Sequence, residues 1–91
     1  MNKAKRIENE KKFINWIQLK SGGRRYWYRV KGRIGWKALY VKEVDRNEKT
    51  VRFYQEIYNE QDELMEIHQK FPEDTGHQRV KNKELNDNNH L

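Results

Sequence analysis

The chain has no cysteine, a single proline, and no apolar run that approaches a membrane span or the core of a secretion signal. The first absence excludes a disulfide framework, a cysteine-ligated metal and a thiol nucleophile. The last excludes a transmembrane helix and predicts a cytoplasmic protein. Hydrophobic residues are scarce as well, 34% of 91, while charged residues reach 37%. A chain of this size and composition forms one small domain at most. Its three tryptophans, five tyrosines and three phenylalanines nevertheless supply enough apolar surface to argue against a disordered protein.

The net charge of +6 is unevenly spread. From Lys20 to Lys37 the chain carries Lys20, Arg24, Arg25, Arg29, Lys31, Arg33 and Lys37 with no acid among them. From Glu56 to Asp74 it carries Glu56, Glu60, Asp62, Glu63, Glu66, Glu73 and Asp74, opposed only by Lys70. One half suits a polyanion and the other repels one; the ordinary alternative is a solvated, dipolar surface.

The longest patterned stretch is Trp36 to Phe71. Period-two alternation of β-branched and aromatic residues predicts three strands there. A four-residue turn at Arg46 to Lys49 pairs Val44 with Val51, Ala38 with Ile57 and Glu43 with Arg52. A three-residue loop, Glu60 to Asp62, keeps Met65, Ile67 and Phe71 with the other apolar residues and sets Glu56 opposite Glu66 and Tyr54 opposite His68. Upstream, Phe13–Lys20 and Arg24–Lys31 flank Ser21-Gly22-Gly23 and read as a hairpin. A turn at Gly32-Arg33-Ile34-Gly35 then places Tyr26, Tyr28 and Val30 on the core side, opposite Tyr40, Ala38 and Trp36.

The expectation is a mainly β fold, all-β or α+β: a five-stranded antiparallel meander, curled or closed into a small barrel, with room for a short N-terminal helix. Ala4, Ile7, Lys11, Ile14 and Ile17 would form that helix's thin stripe, and helix or strand stays open over residues 4–19. Residues 1–12 read as a polar arm, 13–78 as the β domain and 79–91 as a tail, with Pro72 ending the last strand. Phe13, Ile17, Leu19, Trp27, Leu39 and Val41 are expected on the far side of the sheet, where they need a cover such as a second copy of the chain.

Three groups of residues carry chemistry. Arg25, Trp27, Arg29, Lys31 and Arg33, joined by Arg52 and Tyr54, combine cations for phosphates with rings for stacked bases, the combination that binds RNA or another single strand. Glu56, Glu66 and His68 would supply the base and acid of a metal-free ribonuclease, with Arg29 or Arg52 stabilising the charge of the transition state. No cofactor or metal is expected. Glu66, His68, Asp74 and His77 match no established ligand spacing and leave the metal question open.

The segment YRVKGRIGWKALYVKEVDRNEKTVRFYQEI, Tyr28 to Ile57, resembles the sheet of RelE-like ribonuclease toxins. That resemblance covers about a third of the chain and implies a basic sheet acting on RNA. The family places two helices before its sheet, and too few residues precede Tyr26 here for both. The acidic stretch Asn59 to Glu66 is foreign to it.

Overall fold

The computed structural model describes residues 1–80. A helix, α1 (Lys3–Lys12), precedes six strands: β1 (Asn15–Gln18), β2 (Arg24–Lys31), β3 (Lys37–Val44), β4 (Thr50–Tyr58), β5 (Leu64–Phe71) and β6 (Gly76–Arg79). They form one antiparallel sheet whose spatial order is the sequence order. The mainly β expectation holds, with a short N-terminal helix and one strand more than expected. The sheet is an open meander with β1 and β6 at its edges, not a barrel. Among the described residues no helix is long and apolar enough to cross a membrane.

Helix α1 begins where the Asn2 side chain accepts from the Lys5 backbone N–H at 3.1 Å, an N-cap that satisfies an otherwise orphaned donor. Lys11 and Lys12 in its last turn suit the negative end of the helix dipole. Its apolar stripe does not dock, since Ile7 and Ile14 are exposed. The helix attaches instead through Arg6, Asn9 and Glu10, followed by Phe13. Phe13, Tyr26 and Val44 are the buried core on this face, with Tyr28 and Phe53 packed against them. Phe13 is therefore not on the far side as expected; the helix it follows carries it under the sheet.

Glu48 holds the helix in place. Its side chain is fully buried in the β3–β4 turn. It accepts from Arg6 Nη2 at 2.9 Å, Asn9 Nδ2 at 3.3 Å and the Tyr26 hydroxyl at 2.5 Å. Burial pushes its carboxyl up, but the bonds from Tyr26, Arg6 and Asn9 outweigh that and hold it below its ordinary value. Arg24 completes the attachment. It donates to Glu10 at 2.7 Å and lies 3.5 Å from the Trp16 ring centroid.

Two turns of the same design set the register. Asp45 Oδ1 accepts from the N–H groups of Asn47 and Lys49, and Asn59 Oδ1 accepts from those of Gln61 and Glu63. The fourth residue of each, Glu48 and Asp62, is left-handed, at φ 64° and 63°. Each closes a three-residue loop and is followed by a bulge that adds one residue to the returning strand. After the first bulge Glu43 pairs with Arg52 and Ala38 with Ile57, as expected, although Val44 pairs with Thr50 and not with Val51. After the second, Ile57 pairs with Glu66, Gln55 with His68 and Glu56 with Ile67.

The loop Glu60–Asp62 thus closes as expected, but the extra residue at Met65 reverses the faces beyond it. Glu56 and Glu66 do not face each other, nor do Tyr54 and His68. Ile67 lies on the far side of the sheet. A second irregularity, at Lys70, returns Phe71 to a position opposite Phe53. In the β2–β3 hairpin Tyr28 pairs with Tyr40 and Val30 with Ala38, a two-residue offset from the expected register that leaves every side chain on its face. Strand β6 occupies Gly76–Arg79, partly within the expected tail. From Lys81 on, that tail lies outside the described residues.

Candidate nucleic-acid interface

The face away from α1 is built from the alternate residues of each strand, and pairing arranges them in rows. One row runs Asn15, Trp27, Val41, Tyr54, Gln69. On one side of it lie Ile17, Arg25, Glu43 and Arg52, and on the other Arg29, Leu39, Glu56 and Ile67. Beyond these come Lys31, Lys37 and Tyr58. Of the residues expected to bind nucleic acid, Arg25, Trp27, Arg29, Lys31, Arg52 and Tyr54 share this face. Arg33 does not, because it sits in the helical turn Arg33–Gly35 at the end of the β2–β3 hairpin.

The cations differ in availability. Arg25 Nε donates to Glu43 at 2.7 Å, and that bond raises its pKa further. Arg52 donates to Gln69 Oε1 at 2.9 Å and its guanidinium lies 4.1 Å from the Tyr54 ring centroid, a cation–π contact. Lys37 is salt-bridged to Asp62. Arg29 and Lys31 are exposed, with no salt bridge among the described residues. Val41 is buried beneath its neighbours, while Trp27 and Tyr54 are half-buried.

At the end of the face a recess of about 330 Å³ opens between Arg29, Lys37, Leu39, Tyr58 and Asp62. The Tyr58 hydroxyl donates to Glu56 at 2.9 Å, and burial together with that bond pushes its pKa up to about 12. It therefore stays a neutral donor at physiological pH. Lys37, Glu43 and Tyr58 complete the site, and their two-residue spacing from Leu39, Val41 and Glu56 is the sequence signal that places them there.

The expected catalytic set is not assembled. Glu56 is on this face, bonded to Tyr58, whereas Glu66 and His68 project from the other. There His68 Nε2 and Asp74 Oδ1 are 2.6 Å apart and His77 Nδ1 and Glu66 Oε1 3.1 Å, with the two imidazole centroids 4.5 Å apart. The four residues of the open metal question are therefore neighbours, but each histidine is taken by one carboxylate. Among the described residues no three such side chains are arranged to hold a metal ion. Of the residues expected to form a homodimer surface, Ile17, Trp27, Leu39 and Val41 lie on the open face and Leu19 in the β1–β2 turn.

No family model matches the chain, and neither the curated proteins nor the solved structures contain a significant match. The resemblance of Tyr28–Ile57 to RelE-like toxins rests on that segment alone, and the single helix before the sheet departs from that family's pair.

Proposed function

We propose that the protein binds single-stranded nucleic acid, RNA in particular, along the open face of its sheet. The observation that carries this reading is the row Trp27–Val41–Tyr54, which sets two half-exposed rings on β2 and β4, with one strand between them, flanked by Arg25 and Arg52 on one side and Arg29 on the other. Bases stack on such rings for about 1–3 kcal/mol each, and the flanking guanidinium groups follow the phosphates. Five cations on the face, Arg25, Arg29, Lys31, Lys37 and Arg52, outnumber the carboxylates Glu43, Glu56 and, at the recess, Asp62, which pairs with Lys37. Glu43 fixes the reach of Arg25, so the strand would engage chiefly Arg29, Lys31 and Arg52. The recess beside Tyr58 would take a base or a terminal phosphate at the end of the track.

The test is a titration of tryptophan fluorescence with oligo(U) across a salt series. Quenching with a log–log salt slope of about −2 to −3 corresponds to three or four phosphate contacts at roughly −0.7 each. No change in fluorescence at low salt would end this reading.

A second occupant is favoured by one observation: Ile17, Leu39 and Ile67 lie on this face with no element covering them among the described residues. A second copy of the chain, packed face to face, would bury them. Such a dimer would persist in high salt, where RNA binding fails, and sedimentation at rising concentration separates the two.

A further inference from the structure

The helix face carries an aromatic groove that RNA binding leaves unused. Phe13, Tyr28, Tyr40 and Phe53 form a continuous run of rings, with successive centroids 5.2, 5.1 and 6.4 Å apart. Phe71 extends it as the cross-strand partner of Phe53. Where α1 ends, a recess of about 350 Å³ opens among Lys12, Phe13, Lys42, Thr50, Phe53 and Phe71. That volume lies at the small end of the range for small-molecule sites, and the wall chemistry, rings with a few polar groups, is typical of them.

Three ammonium groups surround the rings. Lys12 Nζ is 5.9 Å from the Phe13 centroid, and Lys70 Nζ is 5.1 Å from that of Tyr40 and 5.8 Å from that of Phe53. Lys42 is half-buried and donates to the neutral Asn9 Oδ1 at 2.8 Å. Among the described residues none of the three is salt-bridged. Burial, reinforced by the charges of Lys12 and Lys5, pushes the Lys42 pKa down. Glu48, the carboxylate buried nearby, is already engaged by Arg6, Asn9 and Tyr26. The region crowds cations that make no salt bridge among the described residues, Glu48 and Glu8 acting on Lys42 only through space, beside a partly open aromatic wall, Phe71 being 43% exposed.

We infer that this recess binds a small amphiphilic anion: a planar or short apolar body lying against Phe13, Phe53 and Phe71, with one carboxylate at Lys42 and Lys12. A neutral apolar ligand would leave the ammonium groups without a direct ion pair, and a hydrophilic anion would leave the rings in water. A polynucleotide is disfavoured because the end of α1 bounds the recess on one side and the cations circle it instead of following a track.

The experiment uses the whole chain and three probes: 2-naphthoate, the neutral 2-naphthalenemethanol, and inorganic phosphate. Binding is measured by calorimetry and located by NMR at the Phe53 and Phe71 rings and the Lys42 side chain. The expected result is that 2-naphthoate shifts all three residues, the alcohol binds at least tenfold more weakly, and phosphate leaves the rings unmoved. Lys42→Met keeps the aliphatic stem without the charge and should cost at least tenfold in naphthoate affinity, with folding checked by circular dichroism. Should that variant unfold, Phe71→Ser at the exposed rim makes the same test from the apolar side. Equal binding of acid and alcohol, shifts confined to open-face residues such as Trp27, or displacement of naphthoate by oligo(U) would each overturn the inference.

Discussion

The Tyr26 hydroxyl donates to Glu48 Oε1 at 2.5 Å, joining the first half of strand β2 to the turn between β3 and β4. The same carboxylate receives Arg6 and Asn9 from α1, so one buried acid fixes a helix, a strand and a turn together. Replacing Glu48 with Gln should destabilise the fold by about 2 kcal/mol or more, because a fully buried acceptor loses the charge that compensates Arg6. Urea denaturation of both proteins measures it.

The same group makes stability depend on pH in a definite direction. Its folded pKa lies below the ordinary value of 4.5, so the unfolded state binds the proton more readily. The stability it contributes is complete above that ordinary value and is lost as pH falls through the lowered one. Denaturation midpoints should therefore fall below about pH 4.5, and Glu48→Gln should flatten that part of the profile. An unchanged acid slope in the variant would assign the effect to other carboxylates.

On the open face, Arg29→Ala and Lys31→Ala should each weaken oligo(U) binding and reduce the salt slope by about 0.7 for every phosphate that no longer meets a cation. Neither side chain is buried or salt-bridged among the described residues, so the melting temperature should stay within experimental error. A loss of affinity with an unchanged salt slope would contradict phosphate binding by these two side chains.

Gly23 is required by space. A β-carbon there would lie 1.9 Å from the Val44 carbonyl oxygen, far inside van der Waals distance, and the atoms behind that oxygen, Val44 C at 3.0 Å and Asp45 Cα at 3.1 Å, are backbone too. Gly23→Ala should cost about 2 kcal/mol or more, by forcing β2 away from β3. Gly76 is the control. A β-carbon meets nothing within 4 Å, and only its φ of 67° opposes alanine, a cost of about 1 kcal/mol. Thermal melts of the two variants should rank in that order.

Asn59→Ala should destabilise the β4–β5 hairpin by about 1–2 kcal/mol, since its side-chain oxygen satisfies the N–H groups of both Gln61 and Glu63. Amide exchange should accelerate first at Asn59 and Glu63, the pair that closes the hairpin through the Asn59 N–H donated to the Glu63 carbonyl at 3.0 Å.

The sequence by itself determined which residues of a strand lie together. Side chains alternate across a pleat, so Arg25, Trp27, Arg29 and Lys31 had to share one face and Tyr26, Tyr28 and Val30 the other. The two-residue offset between β2 and β3 left that assignment intact. What alternation does not contain is where an extra residue enters. The bulges at Val51 and Met65 follow turns of one design, Asp45 to Lys49 and Asn59 to Glu63, and only the first was legible as a four-residue turn. Treating the second in the same way would have separated Glu56 from Glu66. Strand β6 has no apolar alternation to announce it, because an edge strand bonded on one side needs only backbone pairing with β5. The core formed on the face expected from Tyr26 and Tyr28, but what covers it was decided in three dimensions. Helix α1 docks through Arg6, Asn9 and Glu10, and its apolar stripe stays in water. A buried carboxylate that reaches three elements at once outweighed the weak amphipathic signal of ten residues.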